Sequence, residues 1–524
     1  MGRPLRRVPA RLERALFHGD HYAMTDRLGT TELAERDKHL DLPRSIERAV
    51  SVEKIVGEPS DGERRVLIIA SRFPPVASVG AIRVRKFTKY LRRHGWRPYV
   101  ITGAMRRATA NSQDARRATD MQSLDDIPSD TLVHRLNPVM DYWPSHATRA
   151  VSTRLAKLTQ RIGWDTNRWQ SALLWRFKRL HDGLSFPDRG IWRLPGAVRA
   201  AVQLHRRHRF DAVFTSGMPF SDHLIGLAVH SILRLPWLVD FRDPWAEYIH
   251  WQQWKTTGGQ RLTHWAEAAV IRRASHVISV NDAMTSRFVD RYGDPTGAKF
   301  VTIPNGFDPA DFPTDVVDAP SSEFRLLYAG SLYKTRSPET VLRAFRQFVD
   351  ETPGAAQRAR FDFAGRSGPF VAELSDRQDE GRVRYLGMLP HSETLGRMAS
   401  ADVNVILLPN MPGSATDTTA KIYECLGSGR AILAAVPPYG AAAKELRGFD
   451  GVWVCDPDDP SAMVQALGDM YRRWLSGDLH TRRSPGQLHK MTRPYQARLL
   501  ADHLNATVGR HTRDACATTG VSNR

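Results

Sequence analysis

Cysteine is scarce in this chain of 524 residues: Cys425, Cys455 and Cys516 stand far apart. Three such residues build neither a disulfide framework nor a cysteine zinc site, and they fit a reducing cytoplasm. Long apolar runs are missing too, since none approaches the ~18–20 residues that cross a bilayer. The opening MGRPLRRVPARLERALF is basic but has no apolar h-region, which excludes a secretory signal. Gly2 has no Ser or Thr at position 6, so the myristoylation pattern is absent. No GxGxxG follows the first predicted strand, and Gly427-Ser428-Gly429 comes after a helix, so a dinucleotide fingerprint is not supported. Negative charge is in deficit: 75 Lys and Arg face 56 Asp and Glu, for a net +19. That excess predicts an anionic partner, whether nucleic acid, a membrane face or a phosphorylated substrate.

What is present is a strand–helix rhythm. The length exceeds one hydrophobic core, so two domains with extensions are expected. Short apolar runs read as buried parallel strands at residues 65–70, 98–102, 211–216, 236–240, 276–280 and 300–304. A second series lies at 324–329, 361–364, 383–386, 403–408 and 431–436. Between them fall amphipathic helices, among them a basic one over 81–94 that Gly95 ends, and one capped by Asn281 and Asp282. The fold class is therefore α/β. The expected domains are a basic N-terminal extension (1–60), a first domain (61–312) with a basic helical insertion near 146–209, a linker (313–323), a second domain (324–485), a terminal helix (486–510) and a polar tail (511–524).

Two stretches bear on membranes. In the first, Leu5, Val8, Leu12 and Leu16 recur at helical spacing among arginines, as in a disordered basic tail or a membrane-surface helix. Between Arg149 and Arg209, fourteen Lys and Arg face three acids, with Trp164, Trp169, Trp175 and Trp192 interleaved. That segment reads either as core helices with solvated charge or as an interface with anionic lipid.

The densest chemistry lies in residues 401–446. A predicted strand ends at Pro409, a Gly- and Thr-rich loop follows, and a helix begins near Ala420. Ligands of open parallel sheets sit beyond the carboxyl ends of the strands. The N–H groups of Thr418, Thr419 and Ala420 would meet an anion there, and Glu424 would accept hydrogen bonds from a ribose diol. Asp456-Pro457-Asp458 mimics a DxD metal motif and reads instead as the cap of a helix starting near Ser461.

Taken in order, SRFPPVASVGAIRVRKF, FPDRGIW (186–192), SGMPFSDHLIGLA (216–228), VDFRDPW (239–245), IPNGFD (303–308), YAGSLY (328–333) and KIYECLGSGRAIL (421–433) resemble the retaining family-4 glycosyltransferases. The resemblance implies the GT-B fold, two Rossmann-like domains with a cleft between them, and transfer of a sugar from a nucleotide-sugar donor to an acceptor hydroxyl. It implies donor-binding roles for Gly80, Gly330, Lys334, Arg336, Thr418, Thr419, Ala420 and Glu424. Catalytic roles fall to His223, Asp243, Lys334 and Arg336, and the acceptor side to Asp240 and Asp243. Lys334 and Arg336 suit a leaving diphosphate, because fixed cations stabilise developing charge without reorganising. Glu424 matches the second Glu of the family's E-x7-E motif, while the first falls on Thr416, with Asp417 beside it. Neither a metal nor a cofactor is expected, and the partners are the nucleotide sugar, a lipid-linked or glycan acceptor and an anionic membrane surface. The expected place is the cytoplasm, peripheral on the inner face of the cell membrane, in cell-surface glycan or glycolipid synthesis. Two alternatives stay open: a sugar-nucleotide epimerase of the same architecture, and a basic nucleic-acid-binding protein, for which no aromatic-and-basic sheet or helix–turn–helix is found.

Overall fold

The computed structural model describes residues 62–76, 78–103, 120–136, 185–247, 257–294, 296–313, 322–374, 381–411, 414, 418–479, 481 and 483–519. The extension over 1–60, the helical patterns of 149–180, most of the linker, Thr416 and Asp417 lie outside them.

Two sheets, each entirely parallel, organise the chain. The first contains β1 (Arg64–Ile69), β2 (Trp96–Thr102), β3 (Leu132–Arg135), β4 (Ala212–Gly217), β5 (Trp237–Phe241), β6 (His276–Ser279) and β7 (Phe300–Thr302), in the order β3-β2-β1-β4-β5-β6-β7. The second contains β8 (Phe324–Ala329), β9 (Ala359–Ala364), β10 (Val383–Gly387), β11 (Val403–Leu407), β12 (Ala431–Ala435) and β13 (Val452–Cys455), in the order β10-β9-β8-β11-β12-β13. Both follow the doubly wound pattern, in which the chain reverses direction across the sheet beside its first strand. The fold class is thus α/β with two Rossmann-like domains, as expected.

Side chains alternate across each strand, so each sheet feeds two cores. On one face of the first sheet, Leu67 and Ile69 meet α2 (Leu194–His208), α3 (Ser221–Leu233), α4 (Thr257–Arg273) and α5 (Asp282–Tyr292). On the other, Val66 and Ile68 meet α1 (Val79–Leu91) and the last helix, α11 (Arg493–Thr519). In the second sheet one face is covered by α6 (Glu339–Glu351) and α10 (Pro460–Leu475). The opposite face is covered by α7 (His391–Ser400), α8 (Ala420–Gly427) and α9 (Ala441–Leu446). The last helix therefore belongs to the core of the first domain, although it follows the second in sequence.

The strand expectations hold to within a residue or two, and β3 and β13 are additions. Val452, Trp453 and Val454 are only half-buried, so β13 lacks the continuous apolar run of a central strand. Gly95, with φ 76°, ends the first helical stretch as expected, and Asn281 caps α5 by accepting from Met284 N. The cap of α10 is a correction. It is Asp459, which accepts from Ala462 N at 3.0 Å, whereas Asp456 accepts from Asp458 N within the loop.

The basic helix α1 buries much of its charge. Its cations are not solvated: Arg83, Arg85 and Lys86 are buried. Lys86 Nζ lies 2.5 Å from Asp126, 2.7 Å from Asp308 and 2.5 Å from Asp311. Those three carboxylates cluster as metal ligands would, and the ammonium of Lys86 supplies the central charge.

Candidate active site

The order of the strands brings the predicted residues to two facing edges. Gly80 follows β1, His223 follows β4, and Asp240 and Asp243 close β5, all at the carboxyl edge of the first sheet around its reversal point. Gly330, Lys334 and Arg336 follow β8, and residues 418–424 follow β11, its neighbour in the second sheet. The edges meet: Asn281 Nδ2 of the first domain donates to Thr418 Oγ1 of the second at 3.3 Å. A narrow cavity in the seam is lined by Ile82, Phe307, His391, Leu395, Glu424 and Arg493.

Glu424 is the most strongly prepared of these groups. It sits in α8, whose first turn is capped by Thr419 accepting from Lys421 N. Lys421 Nζ lies 3.1 Å from one carboxylate oxygen and His391 Nε2 lies 3.0 Å from the other. Burial alone would raise its pKa, but the Lys421 charge and the His391 hydrogen bond outweigh that and hold it well below the usual carboxylate range. A fixed anion one turn into a helix is suited to accept hydroxyl hydrogens.

Lys334 is exposed, and Arg336 is half-buried beside it. The two lie in a tight turn closed by Tyr333 and Arg336 backbone hydrogen bonds. The Arg336 guanidinium stands 5.0 Å from the Tyr333 ring, and its Nε is buried with no partner. Nearby, Gly330 and Gly365 approach so closely that a Cβ on Gly365 would lie 2.1 Å from the Gly330 carbonyl oxygen.

On the first domain's edge, two of the predicted residues are packed against arginines. Asp240 is fully buried. Arg83 holds both its oxygens, at 3.0 and 2.9 Å, and Ser216 Oγ donates at 2.7 Å. It fastens α1 to β5, with its carboxylate engaged by Arg83 and Ser216. Gly80 does permit a close approach, but what lies against it is Arg242, whose Nη1 would be 1.8 Å from a Cβ at that position. Arg242 is anchored to the carbonyls of Gly217 and Met218. Burial lowers its pKa, while the half-buried Asp243 raises it.

His223 is buried, with Nδ1 3.0 Å from Thr215 Oγ1 and Nε2 unpartnered under Gly217. Burial drives its pKa down to about 3, so the imidazole is neutral, able to donate or accept one hydrogen bond but not to carry charge. The FPDRGIW motif is architectural: Asp188 accepts from Gly190 N and Ser221 N and thereby sets the start of α3.

Sequence reading missed Arg493 and His391. Arg493 is buried at the seam, and burial together with the Arg83 charge lowers its pKa to about 9. The only signal was Pro494, which marks a helix start. His391 also opens a helix, α7, but 33 residues from its partner Glu424.

Residues 166–311 match the model of Glycosyltransferase Family 4. The chain carries a glycosyltransferase domain. The rest of the fold agrees with solved GT-B structures. Sucrose-phosphate synthase from Thermosynechococcus elongatus is 16% identical, with a TM-score of 0.51 over 87% of this chain and 100% of that one. The N-terminal domain of Candida albicans trehalose-6-phosphate phosphatase is 11% identical, with a TM-score of 0.53 over 85% and 97%. The α,α-trehalose 6-phosphate synthase of Burkholderia multivorans is 13% identical, with a TM-score of 0.51 over 86% and 100%. These likenesses show the GT-B fold. No curated protein matches the chain. The expectation of a glycosyltransferase enzyme stands on the family match.

Proposed function

We propose that this GT-B chain transfers a sugar from a nucleotide-sugar donor to an acceptor hydroxyl with retention of configuration, in cell-surface glycan or glycolipid synthesis at a membrane face. The observation that carries the reading is Glu424. It is a buried carboxylate fixed by Lys421 and His391 at the start of α8, on the seam between two doubly wound domains. In this reading Glu424 holds the donor ribose, the turn of Lys334 and Arg336 meets the diphosphate, and the loop N–H groups of 418–420 add to the anion site. The leaving diphosphate gains negative charge, and two cations on one turn stabilise it without moving far. The neutral His223, with its free Nε2, offers a hydrogen bond from the opposite edge.

The test is a thermal-shift screen of nucleoside diphosphates and nucleotide sugars, since a ligand of the native state raises stability by mass action. A hit whose shift is lost in Glu424→Ala supports the reading. Product analysis with that donor then reports the anomeric configuration. No shift with any nucleotide sugar, for a folded protein, would overturn it.

A further inference from the structure

Helices α2, α3 and α4 lie side by side on one face of the first sheet and turn their outer sides away from the core. Arg199, Arg206 and Arg207 of α2, Arg234 after α3, and Arg272 and Arg273 of α4 are all exposed there. No carboxylate is exposed on the three helices: α2 has none, and Asp222 of α3 and Glu267 of α4 are buried. Three large apolar side chains share the surface, with Trp265 66%, Ile232 57% and Leu262 40% exposed. The field ends at α5, where Asp282 and Asp290 are exposed.

Helix geometry explains part of this, because cations near helix C-termini are favoured by ~0.3–1 kcal/mol. The same dipole would favour acids in the first turns, and no exposed acid stands in any of the three. Nor does it account for an indole two-thirds exposed in the middle of a helix. A surface of one charge sign set with aromatic and aliphatic side chains has the chemistry of an anionic bilayer interface: guanidinium groups meet phosphate headgroups, and Trp sits at their depth.

We infer that the outer face of α2, α3 and α4 is the surface by which the enzyme docks on an anionic lipid bilayer. This rests on the reading of an enzyme working at a membrane face. It retains Arg199, Arg206 and Arg207 from the basic stretch of 149–209, whose residues 149–184 lie outside the described ones, and adds α3 and α4 of the folded first domain. The cleft opens at the carboxyl edges of the strands, whereas Arg206, Arg207, Arg234, Arg272 and Arg273 lie at the opposite, C-terminal ends of the helices. Docking therefore leaves the cleft accessible.

The test is co-sedimentation of the full-length chain with phosphatidylcholine vesicles, with and without phosphatidylglycerol. The variants are R206E/R207E/R272E/R273E, L262S/W265S and, on the second domain, the control R343E/R358E. Nucleotide-sugar thermal shifts are measured in parallel for every variant. We expect binding only to the anionic vesicles, about tenfold or more weaker in the arginine variant. L262S/W265S should be severalfold weaker, with its residual binding released by salt. The control should match wild type apart from the small loss that any added negative charge brings. Wild-type protein that ignores anionic vesicles overturns the inference, as does equal loss in the control. Duplex DNA binding through the same arginines without vesicle binding would also overturn it. Retained nucleotide-sugar shifts would then show that only the docking surface, not the enzymatic reading, has failed.

Discussion

At the scale of single residues, the cleft contrasts a carboxylate locked in its charged form with one held near neutrality. Glu424 is ionised throughout the useful pH range because Lys421 and His391 overcome its burial. Glu424→Ala removes a charge-assisted acceptor, worth ~1.5–3 kcal/mol, so donor affinity is expected to fall ~10–100-fold; titration calorimetry of the folded variant checks this. Lys334→Ala with Arg336→Ala is expected to abolish turnover while leaving the fold intact, and circular dichroism beside an activity assay separates the two. Glu445 behaves in the opposite way. Burial pushes its pKa up to about 7, opposed by the Tyr423 hydroxyl at 2.7 Å and aided by Asp282 across the seam. Its folded pKa lies above the unfolded value, so the folded state binds the extra proton. That contribution is complete below about pH 4.5 and is lost as the pH rises through 7. Glu445→Gln keeps an acceptor for Tyr423 without the charge. It is therefore expected to stabilise the protein at pH 8 by about 1–3 kcal/mol and to do little at pH 4.5. Denaturant melts at the two pH values measure it, and an equal change at both would reject the assignment.

At the scale of elements, the strands were legible because central parallel strands are apolar on both faces, and β1, β4, β8 and β11 are such runs. The edge strands β3 and β13 are half-exposed and carry no such signature. Helix α1 was placed correctly, but its burial was not legible: sequence shows that Arg83, Arg85, Lys86 and Lys89 are cations, but not that Asp126, Asp240, Asp308 and Asp311 fold back to meet them. Those partners lie far away in sequence, so no local pattern reveals them. The same holds for the site. Glu424 followed from the order of strand, loop and helix, and the loop cations Lys334 and Arg336 from the family resemblance, whereas the engagement of Asp240 and the arrival of Arg493 depend on tertiary contacts. Lys86→Met tests the buried network. It removes the ammonium at the centre of three carboxylates and is expected to destabilise the first domain by ~3–5 kcal/mol, the usual cost of stripping one partner from a buried ion network. Lower pH should recover part of the loss, because protonation relieves the repulsion that remains, and a urea melt at pH 7 and pH 5 measures both.

At the scale of the whole molecule, the chain crosses between its domains twice. It passes forward after β7 and returns at Met491–Arg493, where Phe307 N donates to the Met491 carbonyl and Arg493 N donates to the Phe307 carbonyl. Beyond that point α11 buries Ala497, Leu500, Ala501 and Leu504 against α1 and the first sheet. Among the described residues, none after Met491 enters either core of the second domain. The returning helix thus lends its energy to one domain and its first residue, Arg493, to the seam beside Glu424. This arrangement gives an asymmetric expectation for Leu500→Ala with Leu504→Ala. Each truncation of a fully buried leucine costs ~2–5 kcal/mol, and the loss should fall on the first domain. Amide hydrogen exchange is expected to accelerate in β1, β4 and α1 while protection in β8 and β11 persists, since local stability follows local contacts. Donor affinity should fall as well, although the substitutions lie outside the donor loops, because loosening α11 frees Arg493 from the cleft. Equal acceleration in both sheets would mean that the domains melt as one body. Unchanged donor affinity with the first sheet loosened would mean that the returning helix serves stability alone.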